Sequence, residues 1–400
     1  MNVLYYLNKF PVLSQSFVLS EIVELERRGH DVAVFALNDS EEDVTRHSFE
    51  DLDIRVRYAD TPDYGNILDT IDRRLLEMSL PANLSREPDL RRLGIHAHLA
   101  LQCLDFTSTL ESDIDIVHGH FANHAKFPAR YVANYREVPL TLTAHAFEIF
   151  ASDQRGQAAN VLQTADRVVT PSKYNREFLR DALEVTRPID VVYATVDIDQ
   201  FSPTAAERPY RLLTVARLVE KKGYEYGLRA VAGLVDEFPD LEYHIVGKGP
   251  LEQELRELID DLSLDEHVTM LGHVTDDRLE RELDEAAVFL LPCVVAEDGD
   301  RDVIPVSLKE AMAMETACIS TTVAGVPELI ADGENGVLVP QRDSEALERS
   351  IRRLLESPET RWELAEAGRR TVENTFTIET AVDALLETFT EAIDGRVDVA

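Results

Sequence analysis

Short apolar runs alternate along the chain with longer stretches whose apolar positions recur every three or four residues. Residues 3–7 (VLYYL) and 31–37 (DVAVFAL) read as buried strands. Between them, apolar side chains at 17, 18, 19, 22, 23 and 25 mark one face of a helix that Gly29 ends. The chain therefore opens with a strand–helix–strand unit. Residues 39–60 read as a strand with loops, and 65–110 as helix interrupted near Pro81 and Pro88. The same alternation predicts strands at 114–121, 139–145, 166–172 and 189–194, with helices over 122–134 and 173–184. The polar stretch 195–208 reads as a linker, with Pro203 inside it and Pro209 at its end. Beyond it the pattern restarts, with strands at 211–216, 241–246, 268–271, 287–291 and 317–322 and helices between them. The first of those helices is expected over 224–238, and residues 343–394 are helical with a break near Phe376. Several strand–helix units in each half predict an α/β fold class with two doubly wound domains.

The loops at the carboxyl ends of these strands hold the candidate chemistry. After 287–291 comes an acidic loop ending at Asp302, then Pro305 at the opening of a helix, where a proline costs no hydrogen bond. Asp302 and Glu310 have seven residues between them. After 317–322, Gly325 and Pro327 precede Glu328 at the start of another helix. Such loops feed helix N-termini, whose free N–H groups suit phosphate. Taken alone, this is also what an ordinary βαβα unit with surface carboxylates looks like. Arg217, Lys221 and Lys222 follow the strand at 211–216, and Gly247-Lys248-Gly249-Pro250-Leu251 follows that at 241–246. Glycines there let backbone approach a ligand closely. In the first half, His118 and His120 share one face of a strand, and His145 stands at the carboxyl end of the next. With His124 the first two suggest a metal, but no carboxylate or thiolate lies nearby in sequence, so none is expected. The first turn has no G-x-G-x-x-G, which argues against a nicotinamide or flavin site.

Charge changes the picture most. Asp and Glu number 75 against 40 Lys and Arg, a formal net charge of −35, and only seven of the basic residues are lysine. The acids are spread along the whole chain. We read them as adaptation to a high-salt cytoplasm, since self-repulsion on this scale needs screening. Nucleic acid is excluded as a partner for want of a basic patch. Five arginines within 73–92 (Arg73, Arg74, Arg86, Arg91, Arg92) invert the charge locally. Either they pair along an ordinary helix face or they meet an anionic acceptor or membrane surface. Three cysteines without metal-like spacing fit reduced thiols in the cytoplasm. No leader peptide or membrane-spanning run is read, and the expected location is cytoplasmic, with peripheral contact at the inner face of the cell membrane through 73–92.

Together the motifs resemble the retaining family-four glycosyltransferases of the GT-B architecture, over nearly the whole length. The family's R-x-x-x-K-K-G loop is matched by Arg217 with Lys222, and its V-G-x-G-P-L turn by residues 246–251. Its paired acids are matched by Asp302 and Glu310, and its G-x-P-E-L turn by residues 325–329. F-P-V-L-S-Q-S-F-V-L-S-E-I at 10–22 is similar to a stretch of a subgroup acting on polysaccharide and lipid-linked precursors, as are H-G-H-F-A at 118–122 and T-A-H-A-F-E-I-F at 143–150. Departures from the family pattern are Asp302 for the first glutamate, Val303 for glycine, Glu148 for aspartate, and A-T-V-D at 194–197 for N-G-V-D.

The resemblance implies two Rossmann-like domains facing across a cleft. Residues 1–204 would form the acceptor-side domain, with a helix at about 378–395 packing back on it, and residues 205–377 the nucleotide-sugar domain. It implies catalytic roles for His145, Asp302, Arg217 and Lys222. Arg217 and Lys222 would neutralise the leaving diphosphate. Gly247, Gly249, Leu251, Ile304, Pro305, Val306, Ser307, Glu310 and Glu328 would bind the donor, Glu310 through the ribose. Ser14 and His120 would lie on the acceptor side. The donor would be a nucleotide-diphosphate sugar and the acceptor a glycan or lipid-linked hydroxyl. No metal or other cofactor is required, because fixed cations replace it. An epimerase or phosphorylase on the same architecture, or a weakly active nucleotide-sugar-binding homologue, remains open. A pyridoxal-phosphate phosphorylase is disfavoured because the few lysines are expected in loops.

Overall fold

A computed structural model of the chain describes residues 1–12, 16–39, 54–60, 90–150, 155–204 and 207–397. It divides into two compact units. The first comprises Met1–Pro171, Asn175–Tyr193 and Ala381–Ala400, and the second Ser172–Tyr174 and Ala194–Thr380. Ser14 and most of the arginine-rich segment lie outside the described residues; of Arg91 and Arg92 only the helical backbone, within Leu90–Thr107, is described.

The first unit is built on a parallel seven-stranded sheet in the order β3-β2-β1-β4-β5-β6-β7. Its strands are β1 (Asn2–Leu7), β2 (Asp31–Ala36), β3 (Arg55–Tyr58), β4 (Ile116–His120), β5 (Leu140–Thr143), β6 (Arg167–Thr170) and β7 (Ile189–Val191). Residues 3–7 and 32–36 are all buried, which is why these strands read as continuous apolar runs rather than alternating ones. Helix Ser16–Arg27 crosses from β1 to β2 and seals against the sheet with Val18, Leu19, Ile22 and Leu25. Strand order reverses between β1 and β4, which pair directly through Val3–Ile116, Leu4–Val117 and Tyr5–His118. From Ala381 the final helix, Ile378–Val397, belongs to this unit, and Phe389 is fully buried 5.2 Å from the His118 ring.

The second unit holds a parallel six-stranded sheet in the order β10-β9-β8-β11-β12-β13. These are β8 (Arg208–Val215), β9 (Glu242–Val246), β10 (Val268–Gly272), β11 (Ala286–Leu291), β12 (Ala317–Thr321) and β13 (Val337–Val339). Here the order reverses between β8 and β11, again neighbours in the sheet. Both halves are therefore doubly wound Rossmann-like units, and in such sheets ligands bind at the carboxyl ends of strands beside the reversal.

Several elements depart from the sequence pattern. The helix expected over 122–134 starts at Phe127, after a single 3-10 turn, His124–Lys126, capped by the Asn123 side chain. Phe121 breaks the chain between strand and helix by taking a left-handed φ of 65°. Helix Tyr224–Ala232 stops before Gly233 rather than running to 238. The units change over at Tyr193/Ala194, ahead of the proline-flanked stretch, because 194–204 is bonded to the second unit. Val196 N–H donates to Phe376 O at 3.0 Å, Thr204 N–H to Asp284 at 2.7 Å, and the Lys309 ammonium to Ala194 O. The lysines do not all sit in exposed loops: Lys126 and Lys309 are fully buried. Lysine placement therefore gives no ground against a Schiff-base enzyme. Each buried ammonium is nonetheless committed, Lys309 to Ala194 O and Lys126 to Asn8 Oδ1 at 2.5 Å. Among the described residues no helix is long and apolar enough to cross a membrane.

Candidate active site

In the second unit, backbone hydrogen bonds stitch the loops after β8, β9 and β11 into one surface at the strand reversal. Leu218 N–H donates to Lys248 O (3.1 Å), Leu251 N–H returns to Leu218 O (3.1 Å), and Val294 N–H donates to Lys221 O (2.9 Å). The glycines make this possible, though not by leaving room for a ligand. A Cβ on Gly247, at φ 144°, would stand 1.9 Å from Ala216 O, and one on Gly249 2.4 Å from Leu218 O. Their first requirement is the close approach of one loop to the next. Leu251 is the bond that closes the β9 turn onto the β8 loop.

That surface presents cations. Arg217 is exposed. Lys221 and Lys222 are mostly covered, and both face Asp302. Lys222 pairs with Asp302 Oδ2, while Lys221 is 3.4 Å from Oδ1 and 3.0 Å from Asp300. Burial pushes the Asp302 carboxyl up, but Lys222 and then Lys221 outweigh it and hold it below its ordinary value. The sequence suggested a carboxylate free for a sugar hydroxyl; here both oxygens of Asp302 clasp lysines.

Beyond Asp302, Ile304 and Pro305 lead into helix Val306–Ala313. Pro305 is its N-cap and supplies no side-chain hydrogen bond, and Val306 is 47% exposed, so the first-turn N–H groups of Val306 and Ser307 meet no capping side chain. Glu310 lies one turn further on, half-buried. Val303, where glycine is usual, presses on the next loop, since a Cβ on Gly325 would lie 2.9 Å from Val303 Cγ1. Glu328 sits in the one-turn helix Val326–Leu329 beyond that loop.

The first unit gathers its own polar cluster at the ends of β1, β4 and β5. His145 Nε2 is 3.2 Å from His120 Nδ1, and His120 Nε2 is 3.2 Å from both His118 Nε2 and Glu21 Oε1. Phe121 and Phe17 pack against the His145 ring at 4.5 and 5.1 Å. Burial holds His118 and His120 down to about 3, with Lys126 adding to the effect on His120; it also holds His145 well below the ordinary imidazole value. All three rings are neutral near pH 7.

Two residues of this cluster, Glu21 and Lys126, were missed from sequence, and a third, Glu148, was noted only as a departure from the family pattern. Glu148 Oε1 accepts the backbone N–H of His145 (2.7 Å) and of Ala122 (3.1 Å), tying the two histidine loops together. Its reach back three residues to an N-cap N–H is a capping box, so the spacing of His145 and Glu148 was the signal. Burial raises Glu148 to about 7 and lowers Lys126 to about 7. Glu21 is a carboxylate on the buried face of the first helix, beside Phe17, Val18 and Leu25, and that misplaced polarity was its signal. It supplies the carboxylate that sequence proximity could not find near His118 and His120. His124 is not part of the cluster; its Nδ1 faces Gln157 at 3.2 Å. Lys126 had no signal beyond being one of seven lysines.

Comparison with known proteins agrees with this arrangement. Residues 196–371 match the family described as glycosyl transferases group 1, and residues 15–200 match Glycosyltransferase Family 4. The WcaL glycosyltransferase of Salmonella typhimurium, assigned provisionally to colanic acid biosynthesis, is 30% identical over 366 residues, 87% of this chain and 89% of its own length. The amylovoran biosynthesis glycosyltransferase AmsK of Erwinia amylovora is 27% identical over 431 residues, 97% of this chain and 98% of its own. In fold, the chain is similar to Anabaena HepE crystallised with UDP-glucose, with a TM-score of 0.70 at 17% identity, covering 98% of this chain and 100% of that one. Two Rossmann-like units, the family matches to each half and a 30% identical relative spanning both together show that the chain belongs to the group 1, family 4 glycosyltransferases of GT-B fold.

Proposed function

We propose that this glycosyltransferase moves a sugar, with retention of anomeric configuration, from a nucleotide-diphosphate donor to a hydroxyl of a polysaccharide or lipid-linked glycan. One observation carries the reading. At the strand reversal of the second unit, Lys221 and Lys222 stand on the β8 loop, joined by backbone bonds to the β11 loop that leads to the uncapped start of helix Val306–Ala313. Fixed cations and free N–H groups on adjacent loops are what a departing diphosphate requires. The reading needs no metal at that site. The exopolysaccharide assignment of the relatives is the reason to place the acceptor in glycan assembly.

In this mechanism the diphosphate draws Lys222 and Arg217 to itself, and Asp302 is released toward a sugar hydroxyl. Glu310 accepts from the ribose hydroxyls. Gly247, Gly249 and Leu251 shape the donor surface, with Ile304, Pro305, the N–H groups of Val306 and Ser307, and Glu328 along its other side. His145 contacts the transferred sugar or the acceptor and Ser14 serves the acceptor, whereas His120, expected there from sequence, is buried and acts only through the His145 ring it faces. The bond from the anomeric carbon to the phosphate oxygen breaks as the acceptor oxygen bonds the same face, and the acceptor proton passes to the leaving phosphate.

The test is nucleotide release from a panel of UDP- and GDP-sugars with glycan acceptors, beginning with UDP-glucose. Lys222→Ala and Glu310→Ala should each lower kcat/KM by about 10²–10³-fold with unchanged circular dichroism. Full activity in both variants would remove the assignment, and release without transfer to any acceptor would point to a different reaction.

A further inference from the structure

We propose that Glu21, His118 and His120 hold one zinc ion in the first unit. The three facing atoms are Glu21 Oε1, His118 Nε2 and His120 Nε2. They stand 3.2, 3.2 and 3.8 Å apart and form the one three-residue ligand group among the described residues. For bonds of about 2.0–2.1 Å, a tetrahedral ion has ligand–ligand edges of about 3.3–3.4 Å, whereas an octahedral face has edges near 3.0 Å. Two observed edges lie between these values and the third, 3.8 Å, exceeds both, while their mean of about 3.4 Å is that of the tetrahedral ion. A point equidistant from the three atoms lies about 2.0 Å from each, a zinc–ligand length.

The surrounding residues orient these atoms as outer-shell partners do in zinc sites. Thr141 Oγ1 stands 2.7 Å from His118 Nδ1 and can accept its proton, which leaves the Nε2 lone pair of His118 facing the other two ligands. Tyr5 OH donates to Glu21 Oε1 at 2.5 Å. His120 Nδ1 faces His145 Nε2 and can donate to it, leaving His120 Nε2 bare as well. The Thr143 hydroxyl, 3.2 Å from His118 Nε2, is an oxygen at hand for a fourth position. His118 and His120 are 0% and 2% exposed and the Glu21 side chain 12%, so these ligands would shield the ion from water, and its part is to hold the fold. It ties the first helix to β4, and through His120 it reaches His145.

The experiment uses the full chain without a histidine tag, stripped with chelator, reloaded with zinc sulfate and dialysed. Elemental analysis should return about one zinc per chain, and chelator should lower the melting temperature reversibly. Cobalt substituted for zinc should give the visible absorption of a four-coordinate ion. Glu21→Gln and His118→Asn should lose the metal, while His273→Gln, at an exposed histidine, should keep it. Thr141→Val should weaken affinity by about 10–100-fold. Should the first two variants fail to fold, the chelator-dependent melting shift of the unaltered chain decides. No bound zinc with no shift, or zinc retained in a folded Glu21→Gln, overturns the proposal. These readouts involve no transfer assay, so they stand or fall separately from the function proposed above.

Discussion

At the scale of single residues, Asp302 and Lys309 make opposite predictions. Asp302 separates two ammonium groups that would otherwise repel. Asp302→Asn should therefore cost about 1–3 kcal/mol, less than a fully buried pair because all three side chains keep some contact with water. Asp302→Glu should keep that stability and restore the family's usual reach. Urea midpoints of the three proteins test this, and equal midpoints would show that Asp302 is not the clasp. Lys309 is buried, and burial lowers its ammonium to about 7. Above pH 7 the unfolded chain holds a proton there that the folded chain does not, so folding stability should rise with pH between about 7 and 10. Between pH 7 and 9 this amounts to roughly 2 kcal/mol, and Lys309→Met should abolish it. An unchanged pH slope in the variant would mean that Lys309 keeps its proton. Neither behaviour was legible from sequence. Asp302 was found by its motif position, but that two lysines occupy it depends on where the β8 loop lies. Lys309 sits in an ordinary helical pattern, and nothing local says that its chain ends against Ala194.

At the scale of elements, the strands were the easiest to read, because parallel strands covered on both faces are written as unbroken apolar runs such as VLYYL and AAVFLL. Helix ends were harder. The left-handed Phe121 has no local signal, but Asn123 as the cap of the 3-10 turn and Pro128 in the first turn of the helix are start signals that the apolar period alone overlooks. The candidate loops were legible as a set only because their motifs stand in family order. Their glycines were read as space for a ligand, when the nearer cause is one loop's carbonyl pressed against the next. Gly249→Ala should accordingly disturb the β8 loop and cost stability as well as donor affinity, which a melting curve and nucleotide titration on the same sample would separate. The final helix was expected by its period, and its contribution lies in Phe389. That side chain is fully enclosed beside His118, so Phe389→Ala should cost about 3–5 kcal/mol by urea unfolding. A loss under 1 kcal/mol would mean that the helix is merely laid on the surface.

At the scale of the whole molecule, the excess of 75 acids over 40 bases is not cancelled by the ion pairs of the fold. Many of those pairs join helix residues four apart, such as Arg229–Glu225 and Arg256–Glu252, and exposed pairs of this kind contribute at most about 0.5 kcal/mol each. The remaining carboxylates repel across distances that salt controls, since the screening length falls from about 10 Å at 0.1 M to about 3 Å at 1 M. The folded chain concentrates this charge more than the unfolded chain does, so salt should favour folding. The melting temperature should climb steeply between 0.1 and about 1 M potassium chloride. Screening alone predicts a plateau beyond 1 M, whereas binding of hydrated cations by clustered carboxylates predicts a continued rise. The same charge bears on the proposed nucleotide-diphosphate donor, which would itself be an anion. At low salt the far field opposes its approach, while the local cations Arg217, Lys221 and Lys222 favour it. The donor KM should therefore fall as salt is first added, then rise once those three cations are screened in turn. A melting temperature and a KM both indifferent to salt would mean that the acidic surface has no part in stability or in donor capture.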